Sequence, residues 1–232
     1  MSIKYDLHIH SCLSPCGDDD MTPASIAGMA HLASLDAIAL TDHNTAKNLP
    51  AIICACKQYD ITVVCGIEVC TNEEIHLLCY FKTLEDATAF GEYIGGTLPF
   101  VKNKAEVYGN QFVVDEQDNI IQTVENLLIV GCGLGAAEIV SACHDLRGLC
   151  FWAHIDRQSF SVISVLGTVP PDIPVDGVEI YDISKRQGLM EQGFITPDTP
   201  YLSSSDAHSL WLIGEKGEIM EKTHPLYPFI RS

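Results

Sequence analysis

Basic side chains are scarce. Thirteen lysines and arginines stand against 31 aspartates and glutamates, a formal net charge of −18. That balance leaves no basic stripe to neutralise a phosphate backbone, which argues against a long nucleic acid as partner, and it repels anions at long range. No run approaches the ~18 uninterrupted apolar residues of a membrane span. The opening MSIKYDLHIH has no apolar stretch of signal-peptide length, so the expected location is cytoplasmic, with no membrane partner. No internal repeat or low-complexity tract is visible. Gly131-Cys132-Gly133-Leu134-Gly135 lacks the G-x-G-x-x-G spacing of a dinucleotide turn and reads instead as loop glycines capping a helix.

What is present is a globular composition, 47% hydrophobic and 19% charged, in 232 residues, enough for one barrel-type domain with a sizeable core. Ten cysteines are many, but Cys65, Cys79 and Cys150 lie in apolar runs. In a reducing compartment they read as small core hydrophobes.

Strand-like and helix-like segments alternate. Strands are expected at Ile3–Ile9, Asp36–Leu40, Ile61–Ile67, Ile75–Phe81, Leu149–His154, Gly177–Ile180 and Tyr201–Ser204. Helices are expected after Thr22-Pro23 (a capping residue followed by proline at the first position), at Leu49–Tyr59, Leu84–Tyr93 and about Ala136–Leu146. The rhythm favours a parallel sheet or barrel, since parallel strands need crossover helices. Residues 95–130 break it and read as an insertion over one end of a single domain spanning 1–232, a lid or an interface.

The histidines carry the chemical signal. His8 and His10 are two apart on the first strand, so both face one side, and by the same period Asp6 shares that face and is placed to orient a ligand. Thr41-Asp42-His43 and Asp206-Ala207-His208 each follow a strand; Glu68 ends the third, His76 lies in the fourth and His154 ends the run from Leu149. A parallel barrel collects its active site at such strand ends. Imidazoles mixed with carboxylates suit Zn, Mn or Fe with open coordination positions. Cys12-x-x-x-Cys16 invites a structural-zinc reading with His8 and His10, but leaves the later histidines unexplained. His31, His144 and His224 are assigned ordinary packing roles.

Asp6-Leu7-His8-Ile9-His10, Thr41-Asp42-His43, Gly66-Ile67-Glu68, Ile75-His76-Leu77, Ala153-His154 and Ser205-Asp206-Ala207-His208 together resemble the PHP (polymerase and histidinol phosphatase) family, in the family's order and over nearly the whole chain. The resemblance implies an α/β fold, a distorted seven-stranded, TIM-like (β/α) barrel with two or three divalent metals. Carried over by position, His8, His10, Glu68 and Asp206 would hold the first; Glu68, His76 and His154 the second; and Asp18, His43 and His208 the third. Asp18 is chosen from Asp18-Asp19-Asp20 because family members often carry an acid about four residues before a Thr-Pro.

The implied activity is phosphate-ester hydrolysis by a hydroxide shared between two metals that Glu68 bridges, and the acidic surface points to a small substrate, a mononucleotide or phosphorylated metabolite. Arg157 is placed to clamp the phosphate through two hydrogen bonds, or else forms a surface ion pair; Lys185 and Arg186 are weaker candidates for the clamp. His208 or a metal-bound water would serve as proton donor. Two other readings are an amidohydrolase-type C–N or carboxyl ester hydrolase, which commonly adds a carboxylated lysine that no strand end here supplies, and a regulatory protein that binds metal without turnover.

Overall fold

The computed structural model describes residues 3–216 and 218–231. Seven strands and a short eighth make one curled sheet: β1 (Ile3–Ile9), β2 (Ala37–Leu40), β3 (Thr62–Cys70), β4 (His76–Phe81), β7 (Leu149–Trp152), β8 (Gly177–Glu179) and β9 (Tyr201–Leu202) in that spatial order, with β10 (Ile219–Met220) outside β1. A separate hairpin comprises β5 (Phe112–Val114) and β6 (Ile120–Thr123). Helices α1 (Pro23–Leu32), α2 (Leu49–Lys57), α3 (Leu84–Thr97) and α5 (Ala136–Asp145) cover the outer face, while α4 (Ala105–Tyr108) precedes the hairpin. Thr22 caps α1 from its side chain ahead of Pro23, and Gly135 opens α5, its N–H donating to Glu138 Oε2 (2.9 Å). The glycine cluster is thus a helix cap.

The sheet is strongly curled, and the segment after β9 comes back against β1. Ile9 forms a parallel bridge with Ala207, His10 N–H donates to the Ala207 carbonyl (2.9 Å) and Ala207 N–H to that of His8 (3.2 Å). The enclosed core holds Tyr5, Leu7, Ala37, Ala39, Val64, Leu78, Tyr80, Phe151 and Leu202, closed at one end by Leu226 and Ile230. Outward-facing residues of the strands pack on the helices in a larger core containing Ile26, Ile52, Phe90, Ile139 and Trp152. A fully buried ring such as Phe151 or Trp152 contributes roughly 3 kcal/mol of transfer free energy.

The strictly parallel rhythm expected from sequence does not hold throughout. β4 runs antiparallel to both β3 and β7, because only the tight turn Thr71–Ile75 joins it to β3, too short for a crossover helix. The reversal puts the first residue of β4, His76, at the same end of the sheet as the last residues of its neighbours. In residues 95–130 the hairpin packs beside the loop after β1: Phe112 N–H donates to the Cys12 carbonyl (2.9 Å), and Asn48 exchanges hydrogen bonds with the Phe112 carbonyl (3.1 Å) and Val114 N–H (3.0 Å). Among the described residues no helix is long and apolar enough to cross a membrane.

Candidate metal centre

Alternation on β3 and β4 brings Glu68 and His76 onto the face that carries Val64, Leu78 and Tyr80 further down, so the enclosed core rises into a polar end. Glu68 sits at the centre of that end. Its Oε1 lies 2.9 Å from His76 Nδ1, 3.1 Å from His154 Nε2 and 3.3 Å from His8 Nε2; its Oε2 lies 3.2 Å from His43 Nδ1 and 3.3 Å from His10 Nε2. Asp206 Oδ1 approaches His8 Nε2 at 3.2 Å and His10 Nε2 at 3.3 Å. His8, His10, His43, His76, His154, Glu68 and Asp206 are all buried. His154 and Asp206 hold positive φ (28° and 51°), backbone strain concentrated where the side chains converge.

Hydrogen bonding decides which ring nitrogens carry protons. His8 Nδ1 donates to the buried Glu179 carboxylate (2.9 Å to Oε2), leaving a lone pair on Nε2. The Asp42 carboxylate accepts the Ser14 hydroxyl proton (2.7 Å), so the Ser14 oxygen accepts from His10 Nδ1–H (3.0 Å), and His10 Nε2 also presents a lone pair. Those two nitrogens lie 3.2 Å apart and face only acceptor oxygens. Lone pairs converging on carboxylates require a cation between them, either a proton or a metal ion. Without a metal the proton takes that place: although burial opposes it, the surrounding carboxylates drive the His8 pKa well above the usual value, and those of Asp206 and Glu68 raise that of His10 to about 9. His43 goes the other way, pushed well down by burial, and its Nδ1 makes no hydrogen bond. The orphaned, buried donor set fits a metal centre.

Among the described residues three groups have ligand atoms mutually within 4.8 Å: His8, His10 and Glu68; His43, Glu68 and His76; and His10, Cys16, His43 and His208. Glu68 belongs to two of them. His154 and Asp206 border the first two through the contacts above. Asp18 is exposed and falls in none of the groups; only its backbone N–H reaches the area, donating to the His208 carbonyl (2.9 Å). Arg157 lines the same cavity of about 280 Å³, its Nη1 2.7 Å from Asp206 Oδ2 and its guanidinium 4.1 Å from the Tyr181 ring centre. Lys185 pairs with Asp156 (3.2 Å), and Arg186 lies over Tyr201 (4.8 Å); neither lines this cavity. His31 stacks on Tyr59, His144 pairs with Asp176 (2.9 Å), and His224 stacks on Phe151, all away from the centre.

Asp6 does not orient a ligand. The β1–β2 register shifts between Asp6 and Ile9, so the period of two is broken inside β1. Asp6 points outward and accepts from Ser205 N–H (3.0 Å) and Gly214 N–H (2.8 Å), bracing the segment before Asp206. The orienting carboxylate is Glu179, which sequence reasoning passed over. Its one signal was a carboxylate in the short apolar strand Gly177–Ile180. Ser14 and Asp42 were equally unmarked as the pair that fixes the His10 tautomer.

The model of the PHP domain matches residues 6–143, more than half the chain and most of this constellation. The chain belongs to the PHP domain family. A 5′-3′ exoribonuclease of Haemophilus influenzae is 34% identical over 94 residues, which is 38% of this chain and 33% of that enzyme; the chain thus matches about a third of its curated relative's length. Among solved structures, the lesion-specific endonuclease Q of Pyrococcus furiosus superposes with a TM-score of 0.60 at 21% identity, over 90% of this chain and 49% of that one. A Bifidobacterium adolescentis protein assigned as a metal-dependent phosphoesterase gives 0.61 at 15% identity, over 88% and 87%. At such identities what the two structures share with this chain is the fold.

Proposed function

We propose that this PHP domain hydrolyses a small phosphate ester, a mononucleotide or phosphorylated metabolite, with divalent Zn, Mn or Fe ions. The observation that carries the reading is Glu68: one buried carboxylate spanning two groups of imidazoles whose lone pairs face only acceptors. Ions held there would acidify a bound water toward neutrality and offset the charge on the phosphoryl oxygens. Glu68 would set the spacing between two positions, His8, His10 and Asp206 flanking one, His76 and His154 the other. Arg157, tethered to Asp206 and half exposed at the cavity, would turn its remaining N–H groups to the phosphoryl group. His208 suits the role of ligand better than that of proton donor: burial pushes its pKa down to about 4, so near neutral pH it presents a lone pair.

Closure of β1 against Ala207 supports reading the sheet as a seven-stranded (β/α) barrel with β4 reversed, and the packing of β5–β6 on the loop after β1 supports reading residues 95–130 as an insertion beside its mouth. A second substrate reading has one observation in its favour. The exoribonuclease at 34% identity acts on RNA, so the end of a nucleic acid strand is an alternative to a free nucleotide. The cavity of about 280 Å³ and the charge of −18 favour the smaller molecule.

The test is phosphate and nucleotide release from a panel of mononucleotides, phosphorylated metabolites, diesters and short oligonucleotides, with the protein supplied with Mn²⁺ or stripped by chelator. Metal-dependent release, fastest from small monoesters, is the expected result. Release only from oligonucleotide ends would replace the small-substrate reading. No release from any ester by metal-loaded protein would point to C–N bond hydrolysis or a non-catalytic metal protein.

A further inference from the structure

The third group of donors contains a sulfur. Cys16 Sγ lies within 4.8 Å of ligand nitrogens of His10, His43 and His208, and Cys16 lines the same cavity as His43, Glu68 and Asp206. The loop that presents it is tightly made. Ser11 gives Asp42 both its N–H (2.8 Å) and its hydroxyl proton (2.6 Å), Ser14 N–H donates to the Ser11 carbonyl (3.0 Å) and Gly17 N–H to that of Ser14 (2.9 Å). A Cβ on Gly17 would stand 2.7 Å from the Ser11 carbonyl oxygen, so the residue after Cys16 has no room for a side chain. Opposite the thiol, His208 Nδ1 donates to the Asp206 carbonyl (2.8 Å), which leaves its Nε2 as an acceptor, and the buried Nδ1 of His43 has no hydrogen-bond partner.

We propose that Cys16 Sγ is a metal ligand, forming with His43 and His208 a third cation position that is sulfur-bearing, unlike the two nitrogen-and-oxygen positions around Glu68. The proposal rests on the metal-centre reading above. Binding exchanges the thiol proton for the ion and releases that proton to solvent, with no oxidant or reductant involved. A thiolate with two imidazoles is a soft set that favours Zn²⁺, Fe²⁺ or Co²⁺ over Mn²⁺ and Mg²⁺, whereas the positions around Glu68 accept harder ions. Occupancy of the third position, unlike that of the other two, is then open to thiol-directed reagents. Asp18, two residues further along, faces solvent and is not needed.

The test is a Co²⁺ titration of the whole chain followed by absorption, in the wild type, Cys16→Ser and Asp18→Asn. Visible bands report any bound Co²⁺, and a near-ultraviolet sulfur-to-cobalt band reports a thiolate ligand. The expected result is both signals in the wild type and in Asp18→Asn, and loss of the near-ultraviolet band alone in Cys16→Ser. A wild type with visible bands but no near-ultraviolet band overturns the role of Cys16 and leaves the metal centre standing; no bands at all overturns both. A second measurement needs no variant: mass-mapped alkylation of Cys16 with and without Zn²⁺. Zinc is expected to slow it by about an order of magnitude while leaving the half-exposed Cys54 unaffected, because a metal-held thiolate is withdrawn from reaction. Equal rates at Cys16 with and without Zn²⁺ overturn the proposal.

Discussion

Replacing Glu179 by glutamine keeps the shape of a buried side chain that touches no substrate, yet it should weaken metal binding. The carboxylate accepts from His8 Nδ1 (3.0 and 2.9 Å to its two oxygens) and from His154 N–H (3.0 Å), two donors shared by two acceptor oxygens. Glutamine has one oxygen and an NH₂; with its oxygen on the Oε2 side both donors keep an acceptor, but the NH₂ in place of Oε1 then stands 3.0 Å from His8 Nδ1 and offers it a donor where the carboxylate offered an acceptor. If His8 turns or moves its proton to Nε2, the lone pair aimed at Glu68 and Asp206 is lost. Outer carboxylates of this kind are worth 10–100-fold in metal affinity, or about 1.4–2.8 kcal/mol. The assay is activity against buffered free metal, together with chelator competition for the bound ion. Half-saturation should move to 10–100-fold higher free metal, with most of the activity returning at saturation. Unchanged half-saturation accompanied only by a lower melting temperature would show that Glu179 is a packing residue and that the tautomer argument fails.

Arg157→Ala should raise KM for phosphate esters by about tenfold and, because the Asp206 carboxylate it pairs with is buried, also lower the melting temperature; a fall in stability with unchanged KM would remove it from substrate binding. Gly109 sits at φ +99°, and a Cβ there would run into the Pro15 carbonyl, so Gly109→Ala should lower stability by about 1–3 kcal/mol in a denaturant melt; a neutral effect would show that the inserted segment does not brace the loop after β1. Burial pushes the pKa of His224 down to about 4. Its unfolded ring, near 6.5, therefore takes up a proton that the folded one refuses. Stability attributable to this residue is lost as pH falls from about 6.5 to about 4, at up to about 1.4 kcal/mol per pH unit, and His224→Gln should flatten that slope in acid melts.

Much of the centre was legible in the sequence because strand ends obey simple geometry. His8 and His10, two apart, do share a face, and Glu68, His76, His154 and Asp206 arrive from strand ends that the alternation of segments already marked. The rest was hidden by features that break a period. The register shift inside β1 turned Asp6 outward, although counting by twos put it with His8. The reversal of β4 depends on the Thr71–Ile75 turn, yet it left His76 at the correct end of the sheet. Glu179 carries no motif, since its task is fixed by a neighbour 171 residues away in sequence. Cys16 drew attention in the sequence only with Cys12, as a structural-zinc pair for His8 and His10; in the structure it lies instead with His10, His43 and His208. The hairpin in 95–130 was missed because β6 is exposed on every residue and shows no apolar alternation.

The most direct test of the account is phosphate release measured against metal bound per chain, in the wild type and in Glu68→Gln. The account predicts that turnover rises with the second ion bound in the wild type, and that Glu68→Gln loses both turnover and tight binding of two ions, because one carboxylate serves both positions. A Glu68→Gln protein with full activity and full metal content would contradict it.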